Sequence, residues 1–257
     1  MDERKKIKIA AVVGPTASGK TKIAVDICRA LNGEAVSCDS MQIYKYMDIA
    51  TAKPTVQEMC GIPHHLLDFL EPGEKYSVAA YCAEAEKCID DISGKGKLPV
   101  LVGGTGLYYS SLVDNISFAD EDDDASIRSE LERRAESEGI ETLHKELSAI
   151  DPETAAQLHL NNRGRIIRAL EVYYKTGVTM SEQQRRSRLV EPKYDCTAVC
   201  LDVRDRQFLY DRIDHRVDIM IENGLIEEAR RFLSGELGKT SGQAIGYKEL
   251  QPYFNGE

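Results

Sequence analysis

The residues Gly14-Pro15-Thr16-Ala17-Ser18-Gly19-Lys20-Thr21 fit the pattern G-x-x-x-x-G-K-[ST], and the chemistry that pattern serves is the holding of phosphate. Gly14 and Gly19 let the backbone turn with its N–H groups inward, Lys20 offers a cation to the outer phosphates, and the Thr21 hydroxyl can ligate Mg²⁺. Two other stretches carry reactive types. A carboxylate at Asp39 can hold Mg²⁺ through water, accept a proton from a nucleophile, or cap a turn. In Gly103-Gly104-Thr105-Gly106, the glycines allow close backbone approach. Thr105 is left as the polar side chain able to donate to a ligand oxygen and so steady a leaving group.

These stretches need elements that bring them together. The apolar run Ile7 to Val13 predicts a buried strand entering the phosphate loop, and a helix over roughly 20–31 would aim its positive end at the same anion. Short strands over 34–40 and 98–102 would deliver Asp39 and the second glycine turn at their carboxyl ends, where open α/β sheets gather ligands. Val78, Tyr81, Cys82, Ala85, Cys88, Ile89 and Ile92 recur at helical spacing. Residues 42–72 read as loop. His64 and His65, adjacent on extended chain, point opposite ways and cannot easily share a metal, and one of them is expected as a hydrogen-bonded structural group.

From 125 to about 188 only helices are predicted, with Asp151 capping and Pro152 at the first helical position, Gly177 as a terminator, and Thr179 or Ser181 as the next cap. A strand over 196–202 then resumes the α/β pattern, with Asp202 at its end. A helix over about 207–222 follows, carrying Phe208, Leu209, Ile213, Val217, Met220 and Ile221 on one apolar face, then another over 225–233. Arg204 and Arg206 open this stretch and can either reach a diphosphate or form surface salt bridges. The expected fold is α/β: a P-loop NTPase-like parallel sheet flanked by helices, made of residues 1–114 and 195–257, with an all-helical insertion domain at 115–194.

A chain of 257 residues buries a core without disulfides or metal staples. No stretch approaches the roughly 18 apolar residues of a membrane span, and the N-terminus lacks a signal-peptide core, so the reading is a soluble, cytoplasmic monomer. The cysteines number seven, an odd count suiting reduced thiols. Cys196 and Cys200 lack the second close pair of a zinc site. A net charge of −10 argues against non-specific coating of nucleic acid, yet its distribution is uneven. The acidic run 120–124 reads as a solvated connector. Residues 161–193 carry Arg163, Arg165, Arg168, Lys175, Arg185, Arg186, Arg188 and Lys193 against Glu171, Glu182 and Glu191, a solvated face or a surface for a nucleic-acid backbone.

Taken together, seven collinear blocks resemble the tRNA dimethylallyltransferases, also called tRNA isopentenyltransferases. They are the phosphate loop; Asp39-Ser40-Met41-Gln42-Ile43-Tyr44; Asp48-Ile49-Ala50-Thr51-Ala52-Lys53-Pro54; His64-His65-Leu66-Leu67-Asp68; Gly103-Gly104-Thr105-Gly106-Leu107-Tyr108; Ile167-Arg168-Ala169-Leu170-Glu171-Val172-Tyr173; and Gln243-Ala244-Ile245-Gly246-Tyr247-Lys248-Glu249. Departures are Ala50 where the family usually has Gly, and Leu160, Asn162 and Gly164 where it prefers Pro, Asp and Arg. The chain also ends at Glu257, where relatives continue into a basic helix.

The resemblance implies transfer of a dimethylallyl group from dimethylallyl diphosphate to N6 of the adenosine 3′-adjacent to the anticodon of tRNA, assisted by Mg²⁺ held by Thr21 and Asp39. Asp39 would be the general base and Thr105 the donor to the bridging oxygen. Gly14, Thr16, Ala17, Ser18, Gly19, Lys20, Thr21 and Arg206 would hold the diphosphate, with Lys20 and Arg206 counted as catalytic. Contacts to the tRNA anticodon stem-loop would come from Asp39, Ser40, Met41, Gln42 and Thr105, from Arg128, Arg163, Arg165 and Arg168 of the insertion, and from Gly246, Tyr247 and Lys248. Three other readings share these residues: an adenylate isopentenyltransferase acting on free nucleotides, a P-loop small-molecule kinase, and an RNA-binding protein with a relic phosphate loop. The basic insertion argues against the first, since a small acceptor does not require it. ATP turnover would mark the second, and the presence of Lys20, Asp39 and Thr105 together argues against the third.

Overall fold

A computed structural model describes residues 6–116, 126–235 and 241–256. The chain divides into two compact units, Met1–Val113 with Pro192–Glu257, and Asp114–Glu191. The expected acidic connector at 120–124 lies outside the described residues.

In the first unit the elements run β1 (Ile7–Val13), α1 (Lys20–Leu31), β2 (Gly33–Ser37), α2 (Val56–Met59), β3 (His64–His65), α3 (Val78–Gly94), β4 (Leu98–Val102) and α4 (Gly106–Val113). The second unit supplies α5 (Ser126–Ser137), α6 (Ile140–Ile150), α7 (Pro152–Gln157), α8 (Arg163–Thr176) and α9 (Met180–Leu189). The first unit then resumes with β5 (Tyr194–Cys200), α10 (Arg206–Glu222), α11 (Leu225–Leu233) and α12 (Gln251–Asn255). Among the described residues no helix is long and apolar enough to cross a membrane.

The sheet is parallel throughout, in the order β3-β2-β4-β1-β5. Alternate residues serve its two faces: Ile9, Ala11, Val36 and Leu101 pack with Tyr81, Ile89, Tyr108 and Leu112 of α3 and α4. Val12, Ala35, Val100 and Val102 pack with Ala24 and Cys28 of α1. Burial on both faces explains why β1 and β4 read as continuous apolar runs rather than alternating ones. Strand β1 hands the chain to β2 beyond β4, whereas β4 hands it toward β5 on the other side, so the order reverses between β1 and β4. Ligands of open α/β sheets bind at the carboxyl ends of such a switch point. Val12 pairs with Val102 there, and Ser37 of β2 pairs with Val102, so the chain segments leaving β1, β2 and β4 start level with one another.

Residues 42–72, read as loop, carry α2 and the edge strand β3, and the strand expected over 196–202 runs instead over Tyr194–Cys200. Helix α10 forms where its periodicity placed it, but none of its residues is buried, and Phe208, Val217 and Ile221 are all exposed. Periodicity reports that a face is apolar; it does not supply the neighbour that would cover it.

The second unit has its own core of Leu131, Leu143, Leu147, Ile166, Ile167 and Leu170. Asp151 caps α7 through the Thr154 N–H at 3.1 Å, with Pro152 in the first turn, and also accepts the Ser181 N–H at 3.0 Å from the start of α9. Thr179 caps α9.

Candidate active site

The phosphate loop spans the gap between the end of β1 and the start of α1, whose N-cap is Gly19 in the left-handed region. Gly14 is required by close approach: a Cβ there would meet the Leu201 carbonyl oxygen at 2.6 Å. Ala17 holds φ +60°, a conformation that an L side chain disfavours and that clusters at functional loops. Ser18 Oγ donates to the Pro15 carbonyl at 2.8 Å, closing the loop on itself. Lys20 Nζ donates to the carbonyls of Gly14 at 3.0 Å and Pro15 at 2.7 Å, spanning the loop mouth. Thr21 follows in the first turn of α1, half-buried.

Asp39 and Thr105 converge on this loop from the ends of β2 and β4. Gly103 has no room for a Cβ, which would lie 2.1 Å from the Cys38 carbonyl oxygen, so the two segments run in contact. The Thr105 N–H donates to the Cys38 carbonyl at 3.1 Å. The Thr105 hydroxyl accepts the Ser40 N–H at 2.9 Å and donates to Ser40 Oγ at 3.2 Å. One carboxylate oxygen of Asp39 accepts the Met41 N–H at 2.9 Å and the Gln42 N–H at 3.4 Å, shaping residues 39–42 into a turn. The other oxygen faces Gly104, whose ideal Cβ position is 3.8 Å away.

A residue the sequence did not single out completes the electrostatics. Burial pushes the Lys20 pKa down, opposed by the Asp39 charge and reinforced by Arg216. Burial likewise lowers that of Arg216, again opposed by Asp39. Lys20, Arg216 and Asp39 therefore feel one another, two half-buried cations beside one carboxylate. Arg212, four residues before Arg216 and on the same helical face, donates Nε to the Ala17 carbonyl at 2.8 Å and so grips the loop's strained residue. Arg206 is the first residue of α10 and exposed. At about 100° per residue it lies some 80–120° around the helix from the face of Arg212 and Arg216.

The structure separates the remaining candidates. Tyr247 is 0% exposed, its hydroxyl donating to Glu228 at 2.7 Å, so its side chain belongs to the core and not to an RNA-facing surface; burial also raises its pKa. Gly246 gives its N–H to Glu249 at 2.7 Å, and Lys248 is exposed beside Glu249 at 3.6 Å. Asp202 accepts the Val203 N–H at 2.8 Å and lies two residues beyond β5, which ends at Cys200 and not at Asp202 as expected. Both histidines are hydrogen-bonded, His64 to the Ile62 carbonyl at 2.9 Å and His65 to Glu34 at 2.7 Å.

In the second unit the cations are more neutralised than the sequence tally of residues 161–193 indicated, because α5 contributes acids. Arg128 pairs with Glu132 at 3.1 Å and Glu171 at 3.2 Å, and Arg163 with Glu136 at 3.2 Å. Arg168 and Lys175 also reach Glu171, each at 3.2 Å. Arg165 is exposed and has no carboxylate partner among the described residues.

A parallel α/β sheet with a phosphate loop, a carboxylate and a hydroxyl-bearing glycine turn at its switch point is the architecture of a P-loop protein suited to holding a phosphate or diphosphate beside a proton acceptor. Comparison with known proteins narrows this. A family model described as IPP transferase matches residues 42–257, and one described as isopentenyl transferase matches residues 7–69. A tRNA dimethylallyltransferase of Caldanaerobacter subterraneus subsp. tengcongensis is 49% identical over 254 residues, covering 98% of this chain and 81% of that protein.

Among solved structures, the full-length tRNA isopentenylpyrophosphate transferase of Bacillus halodurans aligns with a TM-score of 0.67 at 44% identity, over 98% of this chain and 78% of that one. A eukaryotic dimethylallyltransferase acting on tRNA aligns with a TM-score of 0.80 at 30% identity, over 97% of this chain and 63% of that one. The chain belongs to the IPP transferase family, the tRNA dimethylallyltransferases, and is a prenyltransferase.

Proposed function

We propose that the chain transfers the dimethylallyl group of dimethylallyl diphosphate to N6 of the adenosine at position 37 of tRNA, 3′-adjacent to the anticodon, and releases diphosphate. The observation that carries this reading is the convergence of Asp39 on Lys20 and Arg216 at one switch point, beside the Thr105 turn. An exocyclic amine is a poor nucleophile and an allylic diphosphate ionises only if its leaving group is stabilised, so the reaction needs a base and a cation cluster within one site. As the N6–C1 bond forms, the C1–O bond breaks, the N6 proton passes to the free oxygen of Asp39, and the diphosphate takes the bonding electrons. Lys20 and the inward N–H groups from Gly14, Thr16, Ala17, Ser18 and Gly19 receive that charge. Arg216 adds to them, and Arg206 lies at the helix start beyond the loop.

Thr105 donates to the bridging oxygen by turning its hydroxyl from Ser40 Oγ. Because the adenine is stacked in the anticodon loop, it is flipped out to reach the 39–42 turn. Arg128, Arg163, Arg165 and Arg168 then serve the stem-loop backbone from the second unit.

The donor set fits Mg²⁺. Among the described residues no three His, Cys, Asp or Glu side chains gather around a point. Mg²⁺ instead keeps waters and phosphate oxygens with one or two protein ligands, here the Thr21 hydroxyl and, through water, Asp39. When bound, the ion neutralises diphosphate charge. This reading takes the enzyme as a monomer, and a tRNA substrate supports a cytoplasmic location.

The test is incubation with Mg²⁺ and dimethylallyl diphosphate plus either an anticodon stem-loop or free AMP, and with ATP alone, followed by mass spectrometry. Prenyl mass gain on the stem-loop, cut about 10²–10⁴-fold in Asp39→Asn, is the expected outcome. Gain on AMP only would move the enzyme to free nucleotides, and ATP turnover without prenyl transfer would make it a kinase.

A further inference from the structure

The turn that carries Asp39 is anchored on its far side through its last residue, Gln42, to a part of the chain that has no role in the chemistry above. Gln42 Nε2 donates to the carbonyls of Thr51 and Ala52, both at 3.1 Å. Residues 48–52 hang in turn from one side chain of α11. Glu228, 7% exposed, accepts the N–H groups of Asp48 at 3.0 Å, Ile49 at 3.0 and 3.1 Å, and Ala50 at 3.0 Å, besides the Tyr247 hydroxyl. All these partners are donors, the pattern of an ionised carboxylate. Three successive N–H groups converging on an anion form the same kind of cradle that loops use for phosphate, filled here by the protein's own carboxylate.

Its composition is unusual for a merely structural contact. A buried carboxylate needs a cation or a full set of hydrogen-bond donors. Among the described residues no Lys, Arg or His lies within ion-pairing distance of Glu228. Residues 48–50 sit near the surface, with Asp48 itself exposed, where water could satisfy their N–H groups, so the buried charge serves to fix their direction. The segment needs fixing: Tyr46 and Ala52 hold φ of +63° and +47°, disfavoured for non-glycine residues. Beneath it, Ile43, Tyr44, Met47, Leu225, Ala229, Phe232 and Tyr247 form a core separate from the two faces of the sheet.

We infer that Glu228 is a positioning residue for the nucleic-acid acceptor: it orients residues 48–52, through them Gln42, and so the Ser40–Gln42 turn that receives the adenine, without acting on the diphosphate side. This rests on the prenyl transfer proposed above. The experiment compares wild type, Glu228→Gln, Gln42→Leu and the double variant, measuring kcat and KM for the stem-loop and for dimethylallyl diphosphate, with melting temperatures alongside.

Glu228→Gln turns an amide NH₂ onto N–H donors. It should raise the stem-loop KM about tenfold while the KM for dimethylallyl diphosphate stays within twofold. Gln42→Leu, which leaves the cradle intact, should reproduce that split, and the double variant should be no worse than the poorer single one, as expected for residues on one path. Should Glu228→Gln not fold, Gln42→Leu and Tyr247→Phe carry the test, the latter with a smaller shift in the same direction. Equal changes in both KM values, or a lower melting temperature with unchanged kinetics, overturn the inference and leave prenyl transfer standing. No transfer by the wild type overturns both.

Discussion

The two halves of the catalytic crevice differ in how far they rely on their own segment. On the donor side, the phosphate loop is closed largely on itself: Ser18 and Lys20 bond back to carbonyls no more than six residues away and α1 starts directly after it, while Leu201 against Gly14 and Arg212 on the Ala17 carbonyl are its distant contacts. On the acceptor side, the turn at Asp39 depends on residues scattered over the chain, with Thr105 on one flank and Glu228 some 180 positions away on the other. A diphosphate presents the same charges in every encounter, so a local cradle suffices. A base delivered on a large RNA must be accepted in one orientation, and a broader scaffold supplies it.

The largest effect that could break this contrast is at Lys20. Lys20→Ala should lower kcat about 10²–10³-fold, the scale of losing one well-placed donor to developing charge. It should leave the stem-loop KM nearly unchanged. A comparable rise in that KM would show that the two sides are not independent.

A smaller effect sharpens the donor side itself. Arg216 shares the Lys20 and Asp39 field, whereas Arg206 sits at the exposed helix start. Arg216→Ala should therefore reduce kcat/KM for dimethylallyl diphosphate by at least about tenfold, roughly the 1.4 kcal/mol of one charge-assisted hydrogen bond. Arg206→Ala should change it less than about threefold. Steady-state kinetics on both variants decides the order, and the reverse order would return the diphosphate contact to Arg206.

That contrast also explains what the chain discloses before folding. Much that is local was readable: β1, the loop and α1 lie in sequence order, and the glycine turn follows the apolar run that forms β4, whereas the two-residue strand β3 left no pattern to read. What the sequence concealed depends on helical phase and distant partners. Arg206, Arg212 and Arg216 are alike until the loop's position shows which face of α10 meets it. Tyr247, between a glycine and a lysine, looked like a surface aromatic and proved to be core. A glutamate in an amphipathic helix reads as solvated, so Glu228 gave no signal at all. The apolar stripe of α10 was legible, but its exposure was not, because no pattern within one helix reveals what lies beside it.

The smallest effect concerns a clamp at the opposite end of the strands from the crevice. Glu34 at the start of β2 is 5% exposed in its side chain and binds Lys97 at 2.7 Å and His65 of β3 at 2.7 Å. The Lys97 hydrogen bond holds its carboxyl below the ordinary value of 4.5, against burial and with help from His65. A depressed carboxylate pKa contributes stability that is fully present above the unfolded value and is lost as pH falls through the folded one. Glu34→Gln should therefore cost about 1–3 kcal/mol at pH 7, several degrees of melting temperature, and the gap from wild type should close as the pH drops below 4.5. Because the clamp lies at the amino ends of β2 and β4, neither KM should move. If Glu34→Gln raised the stem-loop KM as Glu228→Gln does, the acceptor turn would be reporting general sheet stability, and its dependence on α11 would lose its meaning.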